Sequence, residues 1–204
     1  MVSIQKKSIF GNYAHWCGGT ILNSHYVLSA AHCFKSPIDK YDLNLKLVFG
    51  THDLSHKTQD TTTRLFEEII IHPNYEEGTS YFDVALVKLA WPLNFNDRIS
   101  PICLPSEAVQ DTNNRLHQSV SVAGWGRIEP NGPASTVLRH AQLTIFATKY
   151  CNSTISNVNH QGEIVSDSNL VPELFQPSIL CAGLYFPNIL STSIKYYVIQ
   201  VIIS

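Results

Sequence analysis

No run of basic residues in this chain is longer than Lys6-Lys7. Its 14 lysines and arginines are scattered among 16 acidic residues, giving a net charge of −2 over 204 residues. Nucleic acid and anionic lipid are held by clustered positive charge, so neither nucleic acid nor a membrane is expected as a partner. No Cys-x-x-Cys pair and no Cys/His set at ligand spacing occurs, so neither a metal nor a cofactor is expected. Residues 1–7 lack the apolar core of a signal peptide and alternate like a strand. The apolar tail, residues 194–203, is too short and too interrupted for a membrane helix. It reads as a substitute barrel strand or as an exposed aggregation-prone segment. Long amphipathic helical patterns are missing throughout.

What is present is a sizeable core and many short strands. The chain is 44% hydrophobic and 15% charged, enough for one large domain or two small ones. Alternating or β-branched segments at 2–5, 15–22, 26–29, 43–49, 65–71, 83–89, 119–124, 137–146 and 178–183 read as strands separated by turn signals. A glycine pair, Gly18-Gly19, interrupts the second of these and marks a bulge or a close backbone approach. Residues 34–42 and 152–177 read as loops, 51–63 as an exposed hairpin loop, and 148–152 as the start of a short helix. Such spacing predicts an all-β sandwich or barrel.

The five cysteines, Cys17, Cys33, Cys103, Cys151 and Cys181, are odd in number. They fit a disulfide framework with one thiol left over, and hence an oxidising compartment. Cys17 and Cys33 bracket an antiparallel pair, a geometry that suits a bridge.

His32 is the candidate general base, because imidazole titrates nearest neutrality. It follows a short apolar strand and two alanines, in one tight helical turn. Asp83 heads the strand 84–89, where a charge without a partner would be costly. A carboxylate bonded to imidazole fixes its tautomer and stabilises the imidazolium formed on proton transfer.

Cys17-Gly18-Gly19-Thr20, Ser29-Ala30-Ala31-His32-Cys33, Asp83-Val84-Ala85-Leu86-Val87-Lys88-Leu89, Ile102-Cys103-Leu104-Pro105 and Ala123-Gly124-Trp125-Gly126 occur in this order. In this the chain resembles the trypsin/chymotrypsin family of serine endopeptidases over residues 1 to about 183. The resemblance implies an all-β fold of two six-stranded antiparallel β-barrels with the active site between them. On this basis 1–90 is the first barrel, 91–118 a linker, 119–183 a partial second barrel and 184–204 a divergent tail, together one incomplete domain. It implies His32 as general base and Asp83 as its orienting partner. It also implies the disulfides Cys17–Cys33 and Cys151–Cys181. Cys103 matches a cysteine that in many members tethers a neighbouring segment; here it is expected to be unpaired, with an intermolecular bridge open to it. Protein or peptide substrates or inhibitors, and secretion, are the implied partners and location.

The resemblance stops after Gly183. The family's nucleophile stands in Gly-Asp-Ser-Gly-Gly-Pro, whereas Ser191 and Ser193 have neither flanking glycines nor a preceding aspartate. No nucleophile is therefore assigned. The chain is read as incomplete at both ends and catalytically inactive as written. The alternative is a non-catalytic pseudoprotease acting as a binding or decoy module. Asn152-Ser153-Thr154 is a weak glycosylation pattern. Some members bind calcium in the loop after the strand that ends here at Gly50. Thr51 and Thr61 stand near its ends, so no calcium site is expected despite Asp53 and Asp60.

Overall fold

A computed structural model describes residues 1–34, 44–77, 82–104, 116–128, 132–146, 180–183 and 196–199. Among these, the regular structure is β apart from one 3₁₀ turn, Ala31–Phe34. The first sheet holds β1 (Val2–Lys7), β2 (Tyr13–Ile21), β3 (Tyr26–Ser29), β4 (Leu45–Phe49), β5 (Thr62–Arg64), β6 (Phe66–Ile71) and β7 (Ala85–Leu89). Its order is β5-β4-β1-β2-β3-β7-β6, with every pair antiparallel. The two ends of that order, β5 and β6, are separated in the chain by Leu65 alone. The chain thus joins the two ends of the order directly, and the sheet curls round into a half-barrel, as trypsin-like barrels do.

Strand alternation explains what fills the half-barrel. Along β7, Ala85, Val87 and Leu89 are buried while Leu86 and Lys88 are partly exposed. Ile4, Leu45, Leu47 and Phe49 meet them from β1 and β4. The interior also takes Leu93 and Ile99, from the stretch read as linker; both are buried. Phe34, read as the start of a loop, closes the 3₁₀ turn and is buried in the same cluster.

The irregularity in β2 does not fall at the glycine pair. The register shifts opposite Ile4/Gln5, which pair with Cys17 and His15 and leave Trp16 bulged. Gly19 is instead a close approach: a Cβ there would lie 2.8 Å from Val27 Cγ1.

The second sheet holds β8 (Ser119–Gly124), β9 (Arg139–Ile145), β10 (Leu180–Gly183) and β11 (Tyr196–Ile199), in the order β11-β10-β9-β8. Part of the apolar tail thus pairs antiparallel with β10, as a substitute strand would. The short helix at 148–152, the loop 152–177, Cys151, Asn152, Ser191 and Ser193 lie outside the described residues.

Candidate active site

β3 and β7 pair antiparallel, with Ser29 opposite Ala85. The chain leaving β3 and the chain entering β7 therefore emerge at the same end of the sheet. His32 is three residues past Ser29 and Asp83 two residues before Ala85, so two residues far apart in sequence become neighbours.

Their contact is two-pronged. Asp83 Oδ1 accepts the backbone N–H of His32 at 2.7 Å, and Oδ2 lies 2.6 Å from His32 Nδ1. An ionised carboxylate can only accept, so Nδ1 carries the ring proton and Nε2 presents its lone pair. The Asp83 side chain is 3% exposed and that of His32 48%. The acid is thus shielded from water while the base stays accessible. Cys33 Sγ lies 3.7 Å from Nε2.

Several contacts hold this corner. Cys17–Cys33 is a disulfide, as the resemblance implies, and ties the 3₁₀ turn to β2. Trp16 Nε1 donates to Cys33 O at 3.0 Å, and Ser29 Oγ to Gly18 O at 2.9 Å. Phe82, directly before Asp83, has φ +50°, unusual for a bulky side chain. Its ring stacks on His72 at 4.7 Å with 9° between the planes. Tyr75 is carried close by because Tyr75 N–H donates to His72 O and His72 N–H to Val84 O. Burial pushes the Tyr75 phenol up, and the charges of Asp83 and Glu77 add to this.

A cleft of about 370 Å³ opens beside His32. One wall is Trp16, Cys17 and Gly18 with His15; the other is the Val122–Gly126 turn of the second sheet. His15 accounts for much of the join. Its Nδ1 lies 2.8 Å from Ser3 Oγ, its ring packs against Trp125 at 5.6 Å, and burial lowers its pKa. Trp125 is 2% exposed and donates from Nε1 to His52 O at 3.2 Å. Sequence reasoning missed His15, Trp125, Tyr75 and Phe82 as parts of the site. Trp125 stood inside a signature block, and His15 and Phe82 close before one; Tyr75 carried no such signal.

Neither candidate metal set is free to act as one. Cys17, Cys33 and His32 cluster, but the disulfide removes both thiolates. In the 51–61 loop Asp53 accepts from Ser55 N–H and Oγ and meets His56, while Asp60 pairs with Arg98 at 3.0 Å. Cys103 is a free, exposed thiol.

A family model described as Trypsin matches residues 1–183. The heavy chain of a venom peptide isomerase from Agelenopsis aperta is 34% identical over 152 residues, covering 74% of this chain and 60% of that protein. A venom serine protease from Polistes dominula is 29% identical over 165 residues, covering 80% and 56%. Serine proteinase stubble from Drosophila melanogaster is 31% identical over 178 residues, covering 85% and 21%. The chain thus spans less than two thirds of the length of each of these relatives.

Proposed function

The chain belongs to the trypsin family of serine proteases, and on that premise we propose that His32 and Asp83 form the general-base half of a serine endopeptidase site. The observation that carries this reading is the two-point contact that fixes His32 with Nδ1 protonated and Nε2 open beside the cleft. A serine hydroxyl within reach of Nε2 would pass its proton there as it attacked a peptide carbonyl. Asp83 would stabilise the imidazolium, and the proton would then go to the leaving amine.

Within the 204 residues no serine stands in the family's Gly-Asp-Ser-Gly-Gly-Pro setting. Loss of such a serine costs on the order of 10⁶ in turnover. This polypeptide by itself therefore hydrolyses no peptide bonds above background. The second reading, a pseudoprotease that binds without cutting, draws support from the cleft. Its described walls include His15, Trp16 and Trp125, apolar surface on which a peptide could rest. The Cys17–Cys33 bridge and relatives named as venom proteins support an extracellular location. Cys103 is a free, exposed thiol, to which an intermolecular bridge is open.

A fluorogenic peptide library presented to the purified chain separates these readings. Cleavage abolished by His32→Ala would overturn the inactivity. Retention of peptides without cleavage is the result expected of the binding module.

A further inference from the structure

The turn between β1 and β2 carries two large apolar side chains that touch almost nothing. Ile9 is 95% and Phe10 85% exposed. The turn itself is well formed: Ser8 N–H donates to Asn12 O at 2.7 Å, Gly11 N–H donates to Ser8 O at 2.9 Å, and Gly11 adopts φ +85°. Folding has therefore built a firm projection with an apolar apex. In sequence this stretch reads as a polar bend at Gly11-Asn12.

The stem beneath the apex has a second character. Lys46 Nζ sits 3.9 Å from the Tyr13 ring centre, and Lys6 Nζ 5.5 Å from that of Trp16. By register Lys7 pairs with Tyr13 and Gln5 with Lys46, so Lys7, Tyr13 and Lys46 share one face while Lys6 lies on the other. Lys57, from the 51–61 loop, is close enough to Lys46 to depress its pKa further, burial being the larger cause. Lys7, Lys46 and Lys57, spread along the sequence, are thus brought together beside one hairpin.

We propose that this hairpin docks on an anionic lipid bilayer, with Ile9 and Phe10 entering the boundary between headgroups and acyl chains. The layering fits the depth profile of such a surface. Ile9 and Phe10 would lead, with Tyr13 and the ammonium groups of Lys7 and Lys46 behind them to meet the headgroup phosphates. A convex apex suits a fluid layer, whereas a protein partner would need a pocket shaped to receive it. Docking of this kind is peripheral; no described helix is long and apolar enough to cross a membrane. It does not rest on the protease reading.

The test is co-sedimentation of the full chain with phosphatidylcholine vesicles, with and without phosphatidylserine. The chain should sediment with the anionic vesicles, and raising salt from about 0.1 M to about 0.5 M should weaken binding. The double variant Ile9→Ser, Phe10→Ser should bind at least about tenfold more weakly, with an unchanged circular dichroism spectrum and an intact Cys17–Cys33 bridge as evidence of folding. Lys46→Ser should lower binding to anionic vesicles only. No sedimentation of the parent chain, or equal sedimentation of parent and double variant, would overturn the proposal. So would an equal preference for neutral vesicles.

Discussion

Each carboxylate oxygen of Asp83 meets His32, one at the backbone N–H and one at the ring. That arrangement fixes where the ring proton sits. In the neutral form of the ring, ¹⁵N shifts of His32 should show the Nδ1–H tautomer, with a downfield Nδ1 proton. Asp83→Asn should abolish that signature, and in a chain supplied with a nucleophile it should lower kcat on the order of 10⁴, the family's own case. An Nε2–H tautomer in the parent chain would contradict the geometry. Both residues were legible in the sequence because each lies inside a block with its own strand and turn signals. Phe82 and Tyr75 were not. A φ of +50° at Phe82 and a phenol brought to Asp83 through His72 follow from backbone contacts that no local pattern encodes.

At the scale of elements, β3, the 3₁₀ turn and β2 act as one unit held by backbone proximity and by a covalent bond. Gly19 permits the first. In Gly19→Ala the new Cβ would meet Val27 Cγ1 at 2.8 Å and Leu28 O at 3.2 Å. The loss should be about 1–3 kcal/mol, read as a lower urea midpoint at unchanged slope. The Cys17–Cys33 bridge supplies the second, across a sequence separation of 16. Removing it in Cys17→Ser, Cys33→Ser should cost about 3 kcal/mol by the same measurement, and should loosen His32 as judged by its ring signals. Alternation made β4 and β7 readable to within a residue or two. The curl of the sheet was not readable, because it depends on the chain pairing with β4 before Leu65 and with β7 after it. Of the two readings of the glycine pair, a bulge or a close approach, Gly19 bears out the close approach, while the bulge falls at Trp16. Glycine signals where a backbone can approach closely, while the register shift is decided by what lies opposite on β1.

For the whole molecule, the cleft exists because the two sheets are held together. The 51–61 loop reaches across: Leu54 N–H donates to Thr136 O, and His52 O accepts from Leu138 N–H and from the Trp125 indole. Asp53 organises that loop. Its carboxyl is held down at about 2, from an ordinary 3.8, first by the Ser55 hydroxyl, then by the Ser55 N–H and by His56. A depressed carboxyl stabilises the fold above its ordinary value and loses that contribution as pH falls. The loop should therefore loosen between pH 3.8 and about 2. Trp125 fluorescence follows this directly, and in Asp53→Asn that step should disappear.

His32 and Asp83 are in contact, and within the 204 residues no serine stands in the Gly-Asp-Ser-Gly-Gly-Pro setting, so we propose that the base has no nucleophile to serve. Intact-mass analysis after fluorophosphonate treatment tests it directly, on this chain and on one joined after Cys181 to a family-type segment bearing Gly-Asp-Ser-Gly-Gly-Pro. The account predicts no adduct on the first chain, and on the second an adduct that His32→Ala abolishes. Stoichiometric labelling of the 204-residue chain, lost in His32→Ala, would contradict it.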